Sequence, residues 1–202
     1  MDVPDSFYYF FSAVPQVLGG ILALFGVFIV FKLQAIKTHL LGISQTILDQ
    51  SEITYLYYNR QQNTSFSKKL RKAIDTNDIS MLKDLVNSIE TEVHRVRKAT
   101  ETNDRKVLKV SLELKDIEHF GPLSRSFQIV FASQESLIND TFMFSIFTGA
   151  TIIFCLIILP LDAYILKVPC LLGILFFLVI ICVAYSFYGL VSILKRSLQY
   201  KN

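Results

Sequence analysis

Residues 7–31 read FYYFFSAVPQVLGGILALFGVFIVF, an apolar run without a single charged side chain. At about 1.5 Å of rise per residue, a helix over this run exceeds the ~30 Å hydrocarbon core of a bilayer. Two further runs follow, at 142–159 and 170–194, with Asp162 and Lys167 in the short hairpin between them. The stretch between the first and second runs carries most of the charge. The pattern is that of an all-α integral membrane protein with three transmembrane helices and a helical, partly coiled-coil-like cytosolic insert. It divides the chain into a first transmembrane helix (1–34), a cytosolic helical domain made of a stalk and a bundle (35–141), and a transmembrane hairpin with a short cytosolic tail (142–202).

Of 202 residues, 52% are hydrophobic, yet that average mixes two populations, and a single globular core would not accommodate both. Net charge is only +3, which speaks against nucleic acid as a partner. Cys155, Cys170 and Cys182 all lie in or beside the last two apolar runs, and their spacing fits neither a zinc nor a redox motif. The N-terminal MDVPDS has no Lys or Arg, unlike the basic region of a secretory leader, so the first run is expected to be retained.

Within the first run, Ser12, Gln16, Gly19, Ala23 and Gly26 recur every three or four residues and share one helical face. Leu18, Ile21, Phe25, Phe28 and Ile29 lie opposite. Small-residue faces let membrane helices approach closely, so the small face is expected to form a seam, with the bulky face toward lipid. That seam could join helices within the chain, join subunits, or line a pore. On the second run Ser145, Thr148 and Gly149, with Thr151, make a second small, hydroxyl-bearing surface, whose simplest role is interhelical packing.

Beyond Lys32 nothing stops the first helix. Leu33, Ile36, Leu40, Ile43 and Ile47 extend a helical apolar face as far as the polar segment NRQQNTS at 59–65. A short basic helix over 65–74 is followed by DTND, a turn that supplies an N-cap for a longer helix from Ile79. Met81 or Leu82, then Leu85, Val86, Ile89, Val93 and Val96, form its apolar stripe. Alternating apolar positions over 107–117 are read as helix, and Gly121-Pro122 as the one firm break. From Leu123 the pattern runs directly into the second membrane helix.

No arrangement of nucleophile, base and oxyanion donors is found, so the chain is not expected to be an enzyme. No cofactor or metal is implied either. Glu90 and His94 stand four apart, but Arg97 and Lys98 beside them would repel a cation. None of the three runs carries an Asp, Glu, Lys, Arg or His at its middle, against a proton-coupled transporter or voltage sensor. The composition leaves two functions open. One is a homo-oligomer, a pore or gated membrane effector controlled through its cytosolic domain. The alternative is a non-conducting membrane-anchored adaptor that docks a cytosolic protein partner.

Lys32, Lys37, Lys195 and Arg196 flank the runs on one side, whereas the other side offers Lys167 with Asp2, Asp5 and Asp162. Basic residues near span ends are retained in the cytoplasm. The expected location is the plasma membrane, multi-pass in the lipid bilayer, with the N-terminus outside and the insert and C-terminus cytoplasmic. In sealed inside-out vesicles, protease should therefore cut within 59–78, while a cysteine placed at Asp162 should resist a water-soluble thiol reagent until the membrane is permeabilised. Protection of 59–78 in that preparation would reverse the orientation.

Overall fold

The computed structural model describes residues 3–54, 56, 60–101, 119–165 and 167–199. The described residues are helical with no strand: α1 (Val3–Ile53), α2 (Arg60–Asp75), α3 (Ile79–Glu101), α4 (Phe120–Ile158), a 3-10 turn (Leu159–Leu161), α5 (Asp162–Ile165) and α6 (Pro169–Gln199). Three of these helices, α1, α4 and α6, contain stretches long and apolar enough to cross a membrane. The expected helix over 107–117 lies outside the described residues. The chain separates into two compact units. One comprises Met1–Lys32 with Ser136–Asn202, and the other Leu33–Glu135.

The apolar unit is held by aromatic packing. Phe7 and Phe11 of α1 are fully buried with Cys155 and Ile158 of α4, Ile165 of α5 and Val179 of α6. Phe10 and Phe11 both meet Phe176 of α6, with ring centroids 4.5 and 5.3 Å apart. Further along, Phe25 of α1 meets the edge of Phe144 of α4 at 4.9 Å. Residues 7–11 form an all-aromatic segment, Phe7-Tyr8-Tyr9-Phe10-Phe11. The structure sorts it by residue type: the wholly apolar Phe7 and Phe11 turn inward, whereas Tyr8 and Tyr9, with hydroxyls to hydrate, are exposed.

The bulky face of α1 is therefore its packing face, a reversal of the sequence reading. Leu18, Phe25 and Ile29 are 1%, 5% and 5% exposed. Large side chains supply dispersion contacts in greater number than small ones, which favours their burial here.

The charged unit has a conventional amphipathic core. Ile36, Leu40, Ile43, Ile47 and Leu48 of α1 are buried, as are Phe66 and Leu70 of α2, Leu82, Val86, Ile89 and Val96 of α3, and Phe120 and Phe127 of α4. Gly121 and Pro122, read as a break, instead occupy the first turn of α4. There the missing proline N–H has no helical acceptor to lose, so the residue is tolerated. Between α3 and α4, Gln128 donates to Glu90 at 2.6 Å and Lys83 lies 3.4 Å from Glu135, with its ammonium 4.2 Å from the ring centroid of Phe131.

Two local devices fix the path through this unit. The segment 59–65, read as a polar loop, is mostly the first turns of α2, because a buried asparagine anchors it. Asn63 Oδ1 accepts from the Leu56 amide, and its Nδ2 donates to the Ser51 carbonyl, both at 3.0 Å. Ser51 and Ser67 hydroxyls meet at 3.1 Å, and Arg71 pairs with Glu52 beside them. At the other end of α2, the Asp78 amide donates to Ala73 O and the Asn77 amide to Ile74 O. That pair of bonds, with Asn77 at φ 54°, is a Schellman termination in which asparagine takes the left-handed position that glycine usually fills. Asp78 then caps α3 by accepting from the Met81 amide at 3.0 Å, as the sequence led one to expect.

Replacing Asn63 with leucine should strand the Leu56 donor and the Ser51 acceptor, lowering the stability of this unit by roughly 1–3 kcal/mol. Asn77→Val should cost about 1–2 kcal/mol through its backbone, while Asn77→Gly should be near neutral. Amide hydrogen exchange over α2 and α3 in the full chain reads both. Unchanged protection in Asn63→Leu would mean the turn is held by something other than this amide.

Candidate functional site

The residues singled out from the sequence fall into two groups, and the structure treats them differently. On α1, Gln16, Ala23 and Gly26 are exposed, and Ser12 and Gly19 are half-buried. A side-chain carbon built at Gly19, Gly20 or Gly26 would meet nothing within 4 Å. Ser12 donates to the carbonyl of Tyr9 on its own helix at 3.2 Å. No close intrachain seam forms on the small face. Packing within the chain is made by the bulky face instead, and the small face, with the Gln16 amide on it, is left uncovered among the described residues.

The second group lies inside the apolar unit, where α4 meets α6. Thr148 is fully buried, and Ser145 and Gly149 are half-buried. The Thr148 hydroxyl lies 3.4 Å from that of Ser186, which donates in turn to the carbonyl of Cys182 at 3.0 Å. Thr151 donates to the Phe147 carbonyl one turn back. The hydroxyls are thus satisfied largely by their own helices. The surface does what small polar residues commonly do in membrane helices, which is to let two helices approach without stranding a polar group.

The structure adds residues that the sequence reading passed over. Gly189 of α6 faces Phe144 of α4 so closely that an added side-chain carbon would lie 3.3 Å from the Phe144 ring. Phe147 and Tyr185 pack edge to face at 4.7 Å, and Arg196 Nη1 donates to Asp140 Oδ2 at 2.8 Å. Along this seam a groove of about 270 Å³ opens between the two helices. The signal was present in the spacing: Tyr185, Gly189, Ser192 and Arg196 recur at three and four residues, as do Asp140, Phe144 and Phe147. The face runs from apolar to charged and is completed only by residues of both helices, so neither helix alone displays it.

Among the described residues no group of three His, Cys, Asp or Glu side chains is placed to hold a metal ion. Glu90, considered with His94, accepts from Gln128, and Glu92 forms a two-pronged pair with Arg95 at 3.0 and 2.5 Å. The hydrogen bond to Glu92 holds the Arg95 guanidinium pKa above its ordinary value.

If the α4–α6 contact is one of shape, Thr148→Val should change thermal stability in detergent by less than about 1 kcal/mol, since interhelical hydrogen bonds of this kind average ~0.6. Gly189→Leu, which forces bulk against Phe144, should cost about 1–3 kcal/mol or more. Equal losses would assign the contact to the hydroxyl pair instead. No protein-family model matches this chain, and comparison with curated proteins and with solved structures finds no match to it.

Proposed function

We propose that this chain is a non-enzymatic, multi-pass protein of the plasma membrane that self-associates through the small face of α1. In this reading the assembly is a pore or gated membrane effector, controlled through the helical domain at 33–135, which lies with the C-terminal tail in the cytoplasm. The observation that carries the reading is the uncovered face at Gln16, Ala23 and Gly26, on a helix whose bulky face is already committed within the chain. A primary amide facing hydrocarbon lacks partners for two donors and an acceptor. A second copy presenting the same face would satisfy those groups, and the glycines would let the backbones approach closely. If the copies instead surround a water-filled space, Gln16 lines it.

The adaptor reading draws on a different surface. Arg60, Lys68, Lys69 and Lys72 are exposed on α2, whose apolar side is buried beneath them, and so present a basic face to an acidic cytosolic partner.

The mass of the detergent-solubilised particle separates the two. Self-association predicts a multiple of the chain mass. Gly26→Leu should weaken it by roughly 1–3 kcal/mol through steric wedging, while Ile181→Leu on exposed α6 should leave it unchanged. A pore further predicts conductance in liposomes that changes with Gln16→Leu. A wild-type monomer at micromolar concentration would exclude the pore and leave the adaptor.

A further inference from the structure

The groove between α4 and α6 changes character along its length. At one end stand the Arg196 and Asp140 side chains, 61% and 33% exposed, with Lys195 adjacent and exposed. Ser192 lies one helical turn below Arg196, about 6 Å along the axis, and Tyr188 a further turn down. Beyond them the groove is bounded by Phe144, Phe147 and Tyr185, the last about 16 Å from Arg196 along the helix. Gly189 lies in its wall, where the Phe144 ring comes within 3.3 Å of the place a side-chain carbon would take.

The order cation, hydroxyls, aromatic trough matches the order phosphate, glycerol ester, acyl chain in a glycerophospholipid. We propose that this groove binds one anionic phospholipid, with its phosphate on Arg196 and one acyl chain laid against Phe144 and Phe147. The inference rests on the membrane reading given above but not on self-association. Three features favour a lipid over a second copy of the chain. The charged end lies where α6 leaves its apolar stretch, at the level of headgroups. Arg196 uses one guanidinium nitrogen on Asp140, and the guanidinium carries five N–H donors in all, enough for a phosphate as well. Lys195, exposed next to Arg196 in sequence though outside the groove lining, brings a second cation to the helix end where Asp140 is the groove's one carboxylate. Basic clefts between membrane helices on the cytoplasmic side are suited to anionic headgroups for this reason.

Native mass spectrometry of the detergent-solubilised full chain, titrated with phosphatidylglycerol or phosphatidylcholine of matched acyl chains, tests the assignment. The expected result is one retained lipid per chain, with phosphatidylglycerol preferred. Arg196→Gln, which removes the cation and leaves the Asp140 carboxylate, already one-third exposed, to solvent, should reduce that preference about fivefold, the equivalent of the ~1 kcal/mol expected for one basic residue near an anionic surface. Ser192→Phe, which fills the trough, should abolish retention of both lipids while leaving circular dichroism unchanged. Glycerol 3-phosphate should not compete, since it lacks the acyl chain. Undiminished retention in Ser192→Phe, equal binding of the two lipids by wild type, or competition by glycerol 3-phosphate would overturn the proposal. So would copy-to-copy disulfides through a cysteine at Tyr188. Release of the chain from membranes by alkaline carbonate is a separate result, and it would remove the membrane reading itself.

Discussion

A helix buries one stripe, and in α1 that stripe is aromatic and branched. Phe7, Phe11, Leu18, Phe25 and Ile29 are buried in the apolar unit, and Ile36, Leu40, Ile43 and Ile47 in the charged one. Within each unit the intervals are three, four or seven residues, so each part of α1 commits one helical face. Everything opposite that face is left over. The remaining structure follows from where the commitment falls. Phe176 and Phe144 meet the rings of α1, α4 and α6 close on each other through Thr148, Ser186 and Gly189, and the glycine side of α1 faces outward.

The two units are held by different forces. In 33–135, burying Leu40, Leu70 and Leu82 removes apolar surface from water, with a gain of about 1.5–3 kcal/mol for each fully buried side chain. Charged partners such as Lys83 with Glu135 stay largely solvated at the edge and add little. At the α1–α2 corner Asn63 satisfies both the Leu56 amide and the Ser51 carbonyl. In the apolar unit the large rings supply the most contact area, and phenylalanine, not glycine, marks the packing face of α1.

The helices themselves were legible from periodicity and caps. The run from 33 to 47, the turn at Asp75–Thr76–Asn77–Asp78 and the start of α3 at Ile79 all follow from local patterns that need no tertiary information. Tertiary contacts overrode the local reading at two places. Asn63, Thr64 and Ser65 are poor helix formers, yet α2 begins at Arg60 because the Asn63 amide is used across the corner. At 12–29, periodicity showed two distinct faces of α1 but could not say which of them meets the neighbours. Small residues permit close approach but do not compel it, and the choice depends on the shapes that α4 and α6 present. The α4–α6 groove was hidden for a similar reason, since its polar and apolar ends come from two helices far apart in sequence.

The bulky face of α1 is spent within the chain, and the proposed self-association requires that its small face meet another copy. Cysteine cross-linking in native membranes reads that geometry directly, using single cysteines in a background where Cys155, Cys170 and Cys182 are replaced. Cysteines at Gln16, Ala23 and Gly26 should form copy-to-copy disulfides, and those at Leu18, Phe25 and Ile29 should not. Cross-linking at Leu18 and Phe25, or none at any of the six positions, would contradict it.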